Sequence, residues 1–432
     1  MKTVAVVSTE NRNLSDSLDD LFSSLGGLRA VVPIDRRVAL KPNAVHFSPE
    51  TYTNIDLLDA LMAYLRDHGV RRLAMMENVT AGNFSRLVFH ATGYKRLCKK
   101  YGAEAIYLDE QPVVEVQLRD EDEPTRIPKI LYDDFIVERE NNFYLSVPKL
   151  KTHSMTKVTL GVKNQQAFPI HADRMHRHNH ETLHRRLASL YDLIHPDFCL
   201  IEGLTAVIHG HFPATALLSE SVVSTNVLIA GPDTLAVDAV GAKILGYAVD
   251  EVDHLRLCAE WGLGESNLNN IDVIGLPLGQ FEQRYPHTLL GRYHPDVCII
   301  EGKEQACVEG CKSNSLCIQE MLYNDYLGKG GWTLVFGKGV DKDQLADAPG
   351  PLLVVGPCAV AELREWLQAT YPKRKMYFLD VCNDLTTNTL YQARLMGIKP
   401  ISMSPVNPLT SGWLLLRAKL NKTTARVPPI FG

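Results

Sequence analysis

The sequence predicts an α/β protein, with a large, mostly parallel α/β domain followed by a second, smaller cysteine-containing α/β domain. In the first part of the chain, short apolar runs alternate with amphipathic stretches, which is the pattern of successive βαβ units. The density of cysteine changes sharply near residue 300, because four cysteines are scattered over the first 298 residues and five lie between 307 and 382. The sequence pattern also changes from about residue 276, so we divide the chain into residues 1–275 and 276–432.

The predicted strands of the first domain are apolar runs that end in polar or turn residues. They cover residues 3–7, 38–43, 71–78, 105–109, 143–147, 198–204, 226–231 and 271–278. Between them, leucines recur at helical spacing over 57–65, after Asn54 or Asp56 as the capping residue. Further helices are predicted over 14–25, 84–102, 187–194, 234–246 (with Asp233 as N-cap) and 252–264.

The second domain shows three strand-like runs separated by glycine turns, at 332–339, 351–359 and 375–384. Helical patterns cover 363–371 and 389–397. Strands that alternate with helices in this way predict a second parallel sheet.

Composition excludes several classes of function. The 432 residues carry a net charge of −5, with 45 Lys and Arg against 50 Asp and Glu, so there is no overall basic field to hold a nucleic-acid backbone. No apolar run approaches ~18 residues, the least that a membrane-spanning helix needs. The start, MKTVAVVSTE, predicts a strand rather than a signal peptide, and we expect a cytoplasmic protein. A homodimer is one expected assembly.

Four cysteines are predicted to meet at one edge of the smaller sheet. Cys358 and Cys382 lie immediately after a strand, in the GPCA and DVCND ends of the runs 351–359 and 375–384, and Cys307 and Cys311 form a nearby C-x3-C pair. Because the ends of parallel strands share one edge, their thiolates can converge as metal ligands. Such a set suits an iron–sulfur cluster or zinc, and the small residues beside the cysteines favour the bulkier 4Fe-4S cluster. Cys317 is either a fifth ligand or an inward-packed helix residue, and a purely structural role for all five stays open.

A second polar cluster, residues 146–165, follows the strand at 143–147 and holds four lysines, one histidine and an Asn-Gln pair. Lysine supplies a point charge and amide or hydroxyl groups supply neutral donors, so this loop can bind an anionic small molecule, although a solvated loop is the alternative. A desolvated lysine can also move protons. Other polar residues at strand ends join the same edge. The predicted catalytic residues are His153 and Lys163; the predicted substrate-binding residues are Lys41, Asn43, Glu77, Lys149, Lys151, Thr152, Asn164 and Glu202.

The segment 171–184 is rich in histidine and arginine, and we interpret it as an exposed, mobile loop or lid. His180 and His184 have the spacing of a helical metal pair, but there is no HExxH pattern and the neighbouring arginines would repel a cation. The remaining histidines of this segment are His171, His176 and His178.

Several segments together resemble one family, catalogued as domain of unknown function 362. They are ALKPN (39–43), ENVTAG (77–82), FHATGYKRLCKKYG (89–102), VPKLKTHSMTKVTLGVKNQQ (147–166), PDFCLIEG (196–203) and AGPDTLAVDAVGAKILG (230–246), within 38–265. The resemblance implies an iron–sulfur protein of undefined activity. This chain has Glu202 where aspartate is common, Asn-Gln-Gln-Ala at 164–167 where an aromatic residue and a glycine often follow the Lys-Asn pair, and no C-x2-C-x2-C module. Electrons would therefore come from a ferredoxin-type partner.

Three functions follow as expectations. The first is an iron–sulfur oxidoreductase or lyase, in which an anionic substrate binds between the two domains. The second is a racemase or isomerase, because the organisation is also similar to that of the lactate racemase family; His153 and Lys163 would then face a bound organometallic cofactor. The third is a non-catalytic carrier or assembly protein for an iron–sulfur cluster or metal.

Overall fold

Two large sheets and one separate two-stranded sheet organise the described part of the chain. The computed structural model describes residues 1–176 and 179–427. The strands are β1 (Lys2–Ser8), β2 (Arg37–Pro42), β3 (Arg72–Glu77), β4 (Glu104–Tyr107), β5 (Val113–Val116), β6 (Thr125–Pro128), β7 (Asn142–Val147), β8 (Lys149–His153), β9 (Lys157–Val158), β10 (Phe198–Val207), β11 (Val222–Gly231), β12 (Ile271–Gly275), β13 (Val297–Glu301), β14 (Trp332–Phe336), β15 (Leu352–Val355) and β16 (Met376–Leu379).

Helices cover both faces of the two large sheets. They are α1 (Leu14–Ser24), α2 (Leu28–Val31), α3 (Ile55–Asp67), α4 (Ser85–Ala91), α5 (Tyr94–Lys100), α6 (Lys129–Tyr132), α7 (His171–His176), α8 (Leu183–Leu193), α9 (Leu218–Ser221), α10 (Thr234–Ile244), α11 (Asp253–Glu260), α12 (Ser313–Tyr326), α13 (Lys342–Asp347), α14 (Pro357–Thr370), α15 (Leu385–Leu395) and α16 (Pro408–Leu420).

The larger sheet has the order β12-β1-β11-β10-β7-β2-β3-β4, with β8 beside β10 and β9 beside β8. Strands β10, β7, β2, β3 and β4 run parallel, whereas β11 is antiparallel to β10 and β1. One face packs on α1, α3, α4 and α5, and the other on α8, α10 and α11. This arrangement confirms the predicted mostly parallel α/β class.

The predicted helix starts agree with the structure. The Asn54 side chain accepts the backbone N–H groups of Asp56 and Leu57, at 2.8 and 3.1 Å, and so caps α3. Asp233 caps α10 in the same way. The single helix predicted over 84–102 is wrong, because Gly93 adopts a φ of 86° and separates α4 from α5.

The smaller sheet is fully parallel, in the order β13-β14-β15-β16. Strand β13 was not among the three predicted strands; its apolar stretch is short and follows a long polar segment. The C-terminal part of the chain returns to the larger sheet, where Ala418 of α16 packs near Phe84 and Leu87 and the Thr423 hydroxyl donates to Asp109 at 2.9 Å. The division of the chain near residue 275 stays a prediction. Within the described ranges, no helix is long and apolar enough to cross a bilayer.

Candidate functional site

The carboxyl ends of β2, β3 and β7 open onto a cavity of about 110 Å³, which we call the lysine cavity. Their parallel pairing brings the polar groups that follow each strand to the same edge of the sheet. Of the predicted site residues, those that line the cavity are Lys41, Asn43, Glu77, Lys151, His153, Lys163 and Asn164.

One wall of the lysine cavity is a closed ion-pair network. The fully buried Lys41 ammonium lies 3.0 Å from the Glu77 carboxylate and donates to Asn164 Oδ1 at 2.9 Å. The Asn164 amide in turn donates to Ser146 Oγ at 2.9 Å. Burial lowers the pKa of Lys41, and the Glu77 carboxylate opposes that change. These groups satisfy one another, so the network fixes the shape of the wall.

The loop that carries Lys163 and Asn164 is held by helix α10. The buried Asp238 carboxylate accepts the backbone N–H groups of Gly161 and Val162, both at 2.7 Å. Burial raises the pKa of Asp238 to about 7, while those two N–H groups oppose the shift. A Cβ at Gly161 would lie 2.6–2.8 Å from side-chain atoms of α10 and Cys199. Only glycine therefore fits between this loop and the helix.

Three cations of the lysine cavity have no carboxylate partner among the described residues. Lys151 donates to Asn43 Oδ1 at 2.6 Å. Within residues 1–176 and 179–427, the Lys163 ammonium makes no hydrogen bond and the buried Arg174 guanidinium donates only to backbone carbonyl groups. Burial, then neighbouring Lys163 and Lys149, lowers the pKa of Lys151 to about 7. Burial and Arg174 lower the pKa of Lys163 to about 7. Burial also lowers the pKa of Arg174, to about 10.

Two stacked histidines border the same cavity. The rings of His153 and His211 lie 3.8 Å apart at an angle of 7°. His153 Nδ1 accepts the Met155 backbone N–H at 3.1 Å, so a neutral His153 carries its proton on Nε2.

Three predicted substrate-binding residues lie beside the cavity and do not line it. Lys149 pairs with Glu202 and Glu50, each at 2.8 Å. Although burial acts to lower it, the pKa of Lys149 is raised, because these two carboxylates favour its charged form. Thr152 Oγ1 donates to the Pro286 carbonyl at 3.1 Å. These contacts anchor the loop, so a direct role in substrate binding stays a prediction.

The interpretation of 171–184 as an exposed loop is wrong for its first turn. His171 is buried and borders Asn78 and Val79, and Arg174 reaches the lysine cavity. Burial and Arg174 lower the pKa of His171 to about 3. The side chain of His176, and the whole of His178, lie outside the described residues.

Sequence reasoning missed several residues that line the lysine cavity. Polar side chains that were not predicted are Asn78, Thr80, Thr159, Gln166, Arg174, His211 and Asn314. The Gln166 amide is buried and has no hydrogen-bond partner in the part of the chain that the structure describes. Arg174 lies eleven residues after Lys163, but the composition of its segment indicated exposure. Asn314 comes from α12, which packs on the smaller sheet, and no local sequence pattern indicates its contact with the lysine cavity.

Four cysteines surround a second, small cavity at the carboxyl edge of the smaller sheet, which we call the cysteine cavity. Cys307 and Cys311 flank a turn after β13, Cys358 lies in the first turn of α14 after β15, and Cys382 follows β16. Burial, then the neighbouring thiols of Cys358 and Cys382, raises the pKa of Cys307. Burial also raises the pKa of Cys311 to about 12. The structure thus brings together the four thiols that were predicted from the sequence as metal ligands.

Cys317 lies elsewhere. It occupies α12, where its sulfur is 3.8 Å from the Phe212 carbonyl oxygen, and it does not line the cysteine cavity.

Backbone and side-chain groups close around the four thiols. A Cβ at Gly356, which has a φ of 96°, would lie 2.7 Å from Cys311 Sγ. The Asn383 backbone N–H donates to that same sulfur. His180 Nδ1 lies 3.1 Å from Cys307 Sγ, so the end of the His-rich segment reaches this cavity.

Comparison with known families identifies the part of the chain that forms the lysine cavity. Residues 38–243 match the model of the family described as "Domain of unknown function (DUF362)". This region belongs to that family. No curated protein matches the chain.

The DUF362 region supplies nearly all of the lysine cavity, from Lys41 to His211. The four cysteines and Asn314 lie beyond its end. Asn314 nevertheless links the two cavities, because its amide donates to the Asn383 side chain and Asn383 contacts Cys311.

Proposed function

We propose that the protein is an iron–sulfur-cluster-dependent enzyme that acts on an anionic small molecule bound in the lysine cavity. The observation that carries this proposal is the charge of the cavity, where Lys41, Lys151, Lys163 and Arg174 face Glu77 as the one carboxylate among the described lining residues. Buried cations without counter-ions are costly. A carboxylate or phosphate group would supply the missing negative charge.

The cysteine cavity fits a cluster. Its four thiols surround one space. In a [4Fe–4S] cluster each iron takes its own thiolate, so four thiols are the number that such a cluster needs. Cys307, Cys311, Cys358 and Cys382 would hold it, and Gly356 leaves it room. When bound, such a cluster supplies electron transfer or an open iron that acts as a Lewis acid.

The chain's own groups would move protons. Burial and Arg174 lower the pKa of Lys163 to about 7 in the free protein; beside a bound anion the amine would be protonated, and it could then donate that proton to the bound molecule. A neutral His153 presents its Nε2 proton, with its ring orientation fixed by Met155 and His211. Lys151 and Arg174 would hold the anion in place.

The link through Asn314 supports an enzyme in which both cavities work together. Asn314 lines the lysine cavity, and its partner Asn383 donates a backbone N–H to the Cys311 sulfur. Two asparagines therefore separate the anion site from the thiols, which is a short path for coupled chemistry.

Metal analysis of anaerobically purified protein tests the proposal. We expect visible absorbance and about four iron and four sulfide per chain, as a [4Fe–4S] cluster contains. Cys382→Ser should lose most of the iron, whereas the matched control Cys317→Ser should keep it, because Cys317 lies outside the cysteine cavity. A colourless protein that holds zinc alone would exclude the cluster.

A non-catalytic cluster carrier is the second candidate, and the exposure of Cys358 favours it, because transfer to a partner requires an accessible ligand. A carrier should transfer its cluster to an apo-ferredoxin equally well with Lys163→Ala, and Cys358→Ala should abolish the transfer. An effect of Lys163→Ala on substrate turnover would favour the enzyme.

A further inference from the structure

A third cavity, of about 200 Å³, lies against the lysine cavity, and we call it the apolar cavity. Its walls come from the loops after β2 and β3, from helices α12 and α15, and from the segment 400–411. Typical lining side chains are Phe84, Phe212, Ile318, Met321 and Leu390. No Lys, Arg, Asp or Glu in the described part of the chain lines it.

The two cavities share one wall. Five residues line both of them: Val45, Thr80, His211, Asn314 and Leu385. A molecule in the lysine cavity therefore borders the apolar cavity directly. The shared side chains come from loops of the larger sheet and from helices α12 and α15, which pack on the smaller sheet.

The two compartments differ sharply in polarity. The lysine cavity contains five charged side chains, whereas the ionisable side chains in the apolar cavity are two histidines, a cysteine and a tyrosine. Burial lowers the pKa of His46 to about 3, so this histidine is neutral near pH 7. Burial also raises the pKa of Cys317 to about 12, so its thiol stays protonated. The larger compartment thus suits hydrocarbon rather than a second charged group.

We propose that the ligand is an amphipathic anion, with a carboxylate or phosphate head in the lysine cavity and an apolar body in the apolar cavity. This rests on the proposed function, since it assigns a substrate class to the same anion site. A small dianion or a sugar phosphate would leave the apolar cavity in contact with polar groups or water and would gain nothing from its size.

The way in which affinity depends on the length of the ligand's alkyl chain tests the inference directly. Each methylene that moves from water into an apolar cavity strengthens binding about fourfold. Affinity should rise with chain length at this rate and then reach a plateau once the cavity is filled. A neutral compound of equal length should bind far more weakly, because it leaves the buried cations uncompensated.

The test is calorimetric titration of the full chain with straight-chain alkanoates, alkyl phosphates and the matching primary alcohols, from four to twelve carbons. Thr389 has a partly exposed side chain in the apolar cavity, and Thr389→Phe should bring the plateau to shorter chains. Ile401→Ala enlarges the same cavity and should move the plateau to longer ones. Both variants should bind the four-carbon acid like the unaltered protein, whereas Lys163→Met should weaken every acid by a similar factor.

The outcomes separate this inference from the proposed function. A rise with length in one or both acid series, with plateaus that the two cavity variants move in opposite directions, supports the inference; whichever series binds identifies the head group. Equal affinity at all lengths overturns the inference and leaves the anion site intact. Failure of every anion, short or long, removes the anion site and the inference with it. Alcohols that bind as tightly as acids, with no effect of Lys163→Met, indicate unspecific apolar binding and also overturn it.

Discussion

Binding of an anion in the lysine cavity should be accompanied by proton uptake. In the free protein, burial lowers the pKa values of Lys151 and Lys163 to about 7. A bound anion favours both charged forms and raises both pKa values toward the ordinary range. At pH 8 each amine is then mostly neutral before binding and protonated afterwards. The uptake is about 0.9 proton for each lysine, or about two in total.

The pH dependence follows with a definite sign. Because the protonated lysines bind the anion, affinity is highest near or below pH 7 and falls as the pH rises above it. Each lysine contributes up to about a tenfold loss per pH unit, which is the limit for one linked proton.

Calorimetry with sulfate, in buffers of different ionisation enthalpy, measures the proton uptake directly. Lys163→Met should reduce the uptake at pH 8 to one proton or less, since removing that charge also raises the pKa of Lys151. Lys157→Met is the matched control: Lys157 lies on the same loop but donates to the Glu251 carbonyl outside the cavity. A binding heat that is the same in all buffers would refute the assignment of these two amines.

Three further predictions concern the walls of the cysteine cavity and of the lysine cavity. Gly356→Ala should lower the iron content of purified protein, because its Cβ would lie 2.7 Å from Cys311 Sγ; a full iron content would contradict the assignment. Gly161→Ala should lower the free energy of unfolding by about 1–3 kcal/mol in urea titrations, as an overpacked core contact does, and an unchanged midpoint would show that the loop relaxes. Lys41→Met should cost about 3–5 kcal/mol by leaving Glu77 buried without its partner. Adding Glu77→Gln should recover part of that loss, and simple additivity would argue against the pair.

Local sequence patterns were sufficient to predict a contact where the pairing of parallel strands determines which side chains become neighbours. Lys41 and Glu77 end neighbouring strands, so their contact follows from the sheet once the strands are recognised. Cys358 and Cys382 follow strands in the same way. Strand-end reasoning works here because the register of a parallel sheet fixes which ends are adjacent.

Contacts that depend on distant segments could not be predicted from the sequence. Arg174 is buried because carbonyl groups of Val79, Ala167 and Pro169 converge on its guanidinium, and a single sequence does not show that convergence. The composition of its segment indicated exposure, since arginine is rarely buried without partners.

Comparison with the other buried lysines of this fold, which have carboxylate partners, indicates that the three unpaired cations form a site for a ligand. Lys41 and Lys149 are buried for structural reasons, and each has a carboxylate within 3.0 Å. Lys151, Lys163 and Arg174 lie close by without one among the described residues. A buried charge without a partner costs several kcal/mol, so a purely structural loop would gain stability from an added carboxylate or from neutral side chains. The neighbouring lysines have carboxylates and these three cations do not, which supports a site whose negative charge arrives with the bound molecule.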